Sequence, residues 1–139
     1  MDARLRGPAA DASVLASIDH VQLGLPVGDE DEARAFYGGI LGLQEIPKPR
    51  ALAGRGGVWF VGRSVTIHLG VEAGFRAASK AHPAFVVDDL AAVRRRLEEA
   101  GVPVEEDDSG LAVVRCYGRD PFGNRIELVD AMDAGFSRR

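Results

Sequence analysis

The sequence predicts an α+β domain made of two successive βαβββ modules that form a concave cleft. Three observations carry that reading. His20 and His82 each open a short apolar run, while His68 and Glu127 sit in the matched triplets Ile67-His68-Leu69 and Ile126-Glu127-Leu128. His20 and His68 lie 48 positions apart and His82 and Glu127 lie 45 apart, so one half-chain plan occurs twice. Within each half, one segment of helical periodicity is followed by several short strand-like runs.

The first module opens with a strand over residues 18–25. Its alternation places Val21, Leu23 and Leu25 on one face and His20, Gln22 and Gly24 on the other. Asp29 followed by Glu32 has the form of a capping box, and acids crowd the first turn of the helix it would start. Ala33, Phe36, Tyr37 and Ile40 give that helix an apolar face, which Gly38, Gly39 and Gly42 are expected to break. A short strand over 44–47, a Gly/Arg loop over 54–57 and a hairpin of 58–61 with 65–71 complete the unit.

The second module repeats the order. Residues 82–87 form a strand, and Asp88 or Asp89 caps a helix carrying Leu90, Val93 and Leu97 that ends at Gly101. Strands follow near 102–105, 111–117 and 125–129, the last two joined by the turn-forming Asp120-Pro121-Phe122-Gly123-Asn124. Each module is expected to form a twisted antiparallel sheet with a helix on one face. Neither sheet can bury both faces alone, so two placed side by side enclose a cleft. The resulting division is an N-terminal arm (1–17), module one (18–72), a connector (73–81), module two (82–130) and a C-terminal tail (131–139).

With 139 residues, 46% of them hydrophobic, the chain can bury one adequate core. A net charge of −4 gives no footprint for nucleic acid, and no apolar run is long enough to span a bilayer. In residues 1–17 the only apolar core is Val14-Leu15-Ala16, too short for a signal peptide, so a cytoplasmic protein is expected. Cys116 stands alone and reads as a small buried strand residue. The acidic run 105–108 reads as a solvated loop.

The four matched residues suggest a metal site. His20, His68, His82 and Glu127 offer three imidazoles and one carboxylate, a donor set that suits one divalent ion, Zn, Ni, Co, Mn or Fe(II), without choosing among them. Such a complex carries a charge of +1. With octahedral coordination it leaves two positions for water or paired substrate oxygens, which favours Lewis-acid work such as polarising a carbonyl. Gln22 shares the face of His20. A two-residue turn after Val61 would put Trp59 on the face of His68, as an aromatic wall, whereas a three-residue loop would turn it to the helix side. Arg76 and Lys80, in the connector, are candidates to bind an anionic group. Tyr117 and Glu72 are weaker acid–base candidates, Tyr117 also being a candidate substrate contact.

The stretches IDHVQLGLP (18–26), FYGGILGL (36–43), HPAFVVDDL (82–90) and DPFGNRIELV (120–129) resemble the vicinal oxygen chelate superfamily, the glyoxalase/bleomycin resistance protein/dioxygenase family. The resemblance spans nearly the whole chain outside its two tails. It implies a fold of paired βαβββ units and metal ligands on the first and last strands of each, at His20, His68, His82 and Glu127. The second ligand is often Gln or Glu in glyoxalase-like and epimerase-like members, and His68 departs from that pattern.

By this resemblance the protein is a metal-dependent, glyoxalase-like enzyme. It would carry out isomerase, lyase or transferase chemistry on a small oxygen-rich molecule, with Glu127 as simple ligand or as a ligand that also accepts a proton. The alternative is a sequestering protein of the bleomycin-resistance type. Third comes a ring-cleaving dioxygenase, disfavoured by the extra histidine and the short chain. Single-domain relatives commonly pair across a two-fold axis, and the short connector fits a homodimer whose cleft lies within one chain or between two.

Overall fold

A computed structural model describes residues 9–138. The order is β1 (Val21–Leu25), α1 (Glu30–Ala33) running into a π-helical segment (Arg34–Ile40), β2 (Gln44–Ile46), β3 (Val58–Val61) and β4 (Thr66–Val71). The second half repeats it as β5 (Ala84–Val87), α2 (Leu90–Glu99), β6 (Val104–Glu106), β7 (Arg115–Arg119) and β8 (Arg125–Asp130). The strands form two four-stranded sheets, ordered β1-β4-β3-β2 and β5-β8-β7-β6. The α+β architecture with two βαβββ units is therefore as the sequence predicts.

The sheets are mixed rather than antiparallel, because β1 pairs β4 and β5 pairs β8 in parallel. Parity explains this. The helix returns the chain to the end where it started, so β2 runs the way of β1. Two hairpin reversals then bring β4 back into the same direction.

Each sheet buries the face that meets its helix. Leu25, Phe60, Ile67 and Leu69 pack with Ala33, Phe36 and Tyr37 in the first module; Cys116, Ile126 and Leu128 pack with Leu90 and Leu97 in the second. Each large side chain buried in this way is worth about 1.5–3 kcal/mol of transfer free energy. Asp89 caps α2 by accepting a hydrogen bond from Ala92 N at 3.2 Å, and Gly101 at φ +75° ends it. Asp29, by contrast, makes no side-chain cap. Nor do Gly38 and Gly39 end the first helix, which widens into the π-helical segment and closes with Leu41 N donating to Phe36 O at 3.0 Å. That wider turn points Phe36 and Tyr37 inward together.

Two glycines set close approaches. Gly57, at φ +85°, leads into β3 where a Cβ would lie 2.3 Å from the carbonyl oxygen of Leu69. Gly24 lets the connector's Phe75 ring lie against the sheet, for a Cβ there would fall 2.3 Å from Phe75 Cε2. The modules are tied by Tyr37 Oη donating to Asp120 Oδ2 at 2.7 Å and Asn124 Nδ2 donating to Gly24 O at 2.8 Å.

Of the arm expected over 1–17, residues 1–8 lie outside the described residues, and 9–17 are exposed around a short 3₁₀ turn at Ala10–Ala12. The tail beyond β8 turns back on module two, with Val114 N donating to Asp133 Oδ2 at 2.7 Å; Arg139 lies outside the described residues. Among the described residues no helix is long and apolar enough to cross a membrane.

Candidate metal and substrate site

The face of each sheet opposite its helix carries the polar residues. In the first module His68 lies opposite Trp59 across the β3–β4 ladder and beside Gln22 of β1. Gly62 N donates to Val65 O at 2.8 Å, so the connecting turn is the two-residue one, Arg63-Ser64, and Trp59 takes the face of His68. The two rings stack at 3.7 Å with 1° between their planes, and His20 stacks at 4.0 Å on His68. Burial, and secondarily the neighbouring charge of His20, holds His68 below the ordinary histidine pKa, which favours the neutral ring a metal requires.

In the second module, Glu127 on β8 faces Tyr117 on β7 and Ala84 on β5. Its carboxylate is almost fully buried and engaged at both oxygens. Oε1 lies 2.9 Å from His82 Nε2, and Oε2 accepts a hydrogen bond from Arg115 Nη1 at 3.3 Å. Tyr117 meets the edge of the His82 ring at 5.5 Å.

His20 and His82 lie just before their strands rather than within them. Both are oriented through Nδ1: that of His20 is 2.8 Å from Asp19 Oδ2, and that of His82 is 2.7 Å from the carbonyl oxygen of Lys80. Since neither oxygen can donate, Nδ1 is the donor in both contacts, and Nε2 is the atom each ring would offer a metal; that of His82 meets Glu127 Oε1 at hydrogen-bond distance. The 2.9 Å between His82 Nε2 and Glu127 Oε1 matches the roughly 3 Å between adjacent ligands of an ion bound at about 2.1 Å. With a neutral ring these two lone-pair atoms would repel, and a shared cation relieves them. The His82–Glu127 pair thus fits a divalent ion in donor type and spacing, while His20 and His68, stacked face to face, fit in donor type.

The four ligand candidates nevertheless form two separate pairs, His20 with His68 and His82 with Glu127. No group of three or more His, Cys, Asp or Glu side chains able to hold one ion occurs among the described residues. Arg76 and Lys80 are exposed in the connector, and neither side chain has a hydrogen-bond or ion-pair partner among the described residues. Glu72 is an exposed residue at the end of β4. Cys116 is buried on the helix side, which pushes its thiol pKa up.

Sequence reasoning missed Arg115 and its partners Asp107 and Ser109, beside Glu127. Arg115 is held by Asp107 through Nε at 3.0 Å and Nη2 at 3.2 Å, and by Ser109 Oγ at 3.2 Å. Its guanidinium also lies 4.9 Å over Phe136. Asp107 is therefore no solvated loop charge; hydrogen bonding to Arg115 holds its carboxyl down to about 2. The signal in the sequence was the two-residue spacing of Arg115 and Tyr117, which puts them on one face of β7.

The profile of the Glyoxalase/Bleomycin resistance protein/Dioxygenase superfamily matches residues 17–128, and the chain belongs to that superfamily. The crystal structure of a glyoxalase family protein from Bacillus anthracis is 47% identical, with a TM-score of 0.80 over 85% of this chain and 97% of that one. A lactoylglutathione lyase of Salmonella typhimurium is 28% identical over 123 residues, 80% of this chain and 91% of the relative. The structure of lactoylglutathione lyase from Agrobacterium tumefaciens is 25% identical, with a TM-score of 0.63 over 89% of this chain and all of that one.

Proposed function

We propose that this member of the superfamily is a divalent-metal-dependent enzyme of glyoxalase type, acting by Lewis-acid isomerase, lyase or transferase chemistry on a small oxygen-rich metabolite. The observation that carries the reading is the matched pair of half-sites. Each has a histidine just before its first strand with Nδ1 tied, so that Nε2 is the atom it would offer an ion, next to a last-strand donor, His68 or Glu127; in the second, Nε2 of His82 already meets Glu127 Oε1 at 2.9 Å. The similarity to lactoylglutathione lyases supports the same class of reaction.

Two donors cannot hold a catalytic ion firmly, and one chain does not bring the pairs together. We therefore place the site between the subunits of a homodimer. His20 and His68 of one subunit would face His82 and Glu127 of the partner subunit, giving two equivalent sites. A bound ion would supply Lewis-acid polarisation of a substrate oxygen. This chain's residues would do the rest. Asp19 and the Lys80 carbonyl orient the imidazoles of His20 and His82, Arg115 holds Glu127 Oε2 so that Oε1 faces the site, and Trp59 gives a flat apolar wall. Glu127 is the one carboxylate among the four donors and the candidate to take a proton from the substrate.

The Trp59–His68–His20 stack also suits a binder of planar molecules, which keeps the sequestering reading as the alternative. Elemental analysis of protein purified without chelator or affinity-column metal separates the two. The enzyme reading expects about one divalent ion per chain. Failure of Zn, Ni, Co, Mn and Fe(II) to reconstitute stoichiometrically would sink it.

A further inference from the structure

The open face of the second sheet carries three arginines, two of them committed. Arg115 is taken by Asp107, Ser109 and Glu127, and Arg119 by Glu105 Oε1 at 3.3 Å and Gly123 O at 3.0 Å. Arg125 differs. Its guanidinium lies 4.0 Å over the Tyr117 ring, and its buried Nε has no hydrogen-bond partner among the described residues. It is also placed directly opposite Arg119 across the β7–β8 ladder, where like charges repel. The unpartnered buried Nε leaves the guanidinium uncommitted to any protein acceptor, and the opposed like charge raises the free energy of the empty site, which an anion at the guanidinium would relieve.

The position gives this a use. Arg125 and Glu127 are two residues apart on β8 and share a face. Tyr117, directly opposite Glu127, joins them, touching the Arg125 guanidinium on its face and the His82 ring at 5.5 Å. We propose that Arg125, stacked on Tyr117, is an oxyanion subsite beside the His82–Glu127 pair. The substrate would then carry a carboxylate or phosphoryl group besides the oxygens that meet the metal. A guanidinium held flat on an aromatic ring keeps its fork of N–H groups in one plane, the geometry that pairs with such groups. The subsite deepens the proposed metal-dependent function and rests on it for the substrate's other end.

The test uses three probes and calorimetry on metal-loaded protein. Glycolate offers only the chelating hydroxyl and carboxylate; tartronate adds a second carboxylate, and 2-hydroxy-2-phosphonoacetate adds a phosphonate. Wild-type protein is expected to prefer one or both added anions by about tenfold or more over glycolate, and which one identifies the group. Arg125→Gln should abolish the preference while binding glycolate within about twofold of wild type, and Arg125→Lys should keep part of it. Equal preference in wild type and Arg125→Gln overturns the subsite, as does wild type binding all three alike or none. Should Arg125→Gln fail to fold, the comparison is made with Arg125→Lys, where an undiminished preference for both anions overturns it. Protein that takes up no metal sinks the metal reading alone. The subsite is then read from the melting temperature of metal-free protein in inorganic phosphate, and a rise no larger in wild type than in Arg125→Gln overturns it.

Discussion

Tyr37, on the first module's π-helical segment, donates its phenol to Asp120 of the second module across 2.7 Å, and both are buried. The same carboxylate accepts from Phe122 N, Asn124 N and Asn124 Nδ2, so the Asp120–Asn124 turn is built around it. This hydrogen bond, with that of Asn124 Nδ2 to Gly24 O, ties the second module's turn to the first module.

Tyr37→Phe removes that donor from a buried acceptor and should cost about 1–3 kcal/mol, or roughly 3–10 °C in melting temperature. Burial, with the Asp120 charge next, raises the Tyr37 pKa well above its ordinary 10. The sign follows. Below pH 10 both folded and unfolded forms keep the proton and the contribution is intact. As pH rises past 10 the unfolded chain ionises first, and stability is lost toward the higher folded value. Melting curves from pH 8 to 11 should show the wild type falling more steeply than Tyr37→Phe.

Arg115 should matter to metal binding without touching the ion. Arg115→Met frees Glu127 Oε2 and unpairs Asp107, and a loss of about 10–100-fold in metal affinity is expected. Asp107→Asn should produce part of the same loss. Because the Asp107 carboxyl is held near 2, its contribution to stability is full above its unfolded pKa near 4 and fades as pH falls toward 2. Acid titration of wild type and Asp107→Asn should therefore converge at the low end. Unchanged metal affinity in Arg115→Met would remove Arg115 from the site.

The repeat was legible because its signals are local. Matched triplets, helical periodicity and turn residues all act within a dozen positions, whereas Trp59 was legible only as two alternatives until the turn length was known. The parallel pairing of β1 with β4 depends on counting chain reversals between distant strands, which no local signal displays. The π-helical segment was not legible, since glycines at 38 and 39 signal an end in an α-helix and only the core contacts of Phe36 and Tyr37 carry the chain past them. Arg115 shares a face with Tyr117 by its spacing, but its contact with Glu127 was not legible. The strand starts at 115 rather than 111, and nothing local fixes its register against Glu127. The separation of the donors into two pairs depends on module packing through contacts such as Tyr37–Asp120, 83 positions apart, which periodicity does not encode.

A site shared between subunits can be tested by complementation. His68→Ala and Glu127→Ala should each abolish tight metal binding, and Arg76→Ala should change it little. Mixed and refolded together, the two defective chains would form hybrid dimers in which one site carries both defects and the other none. Random pairing makes about half of the dimers hybrid. Metal content should then recover to roughly a quarter of the wild-type sites, whereas sites contained within single chains would stay empty. Light scattering of the metal-loaded wild type showing a monomer at micromolar concentration would contradict the shared site directly.

Glu127 is where the enzyme and sequestering readings part. Ile126 and Leu128 point into the core, leaving the carboxylate between His82 and Arg115. Glu127→Gln keeps the size and one weak oxygen ligand but removes the negative charge and the ability to take a proton. Its new amide N–H₂ cannot accept from Arg115 Nη1, so the amide is expected to turn its oxygen to Arg115 and weaken the contact with the ion. For a Lewis-acid enzyme with Glu127 as base, folding and much of the ligand binding should survive, while turnover falls by about 10²–10⁴-fold. A sequestering protein should lose only the modest affinity that passes through the altered ion. Measuring metal content and turnover on the same preparation decides the point: full turnover with full metal would leave Glu127 a ligand and nothing more.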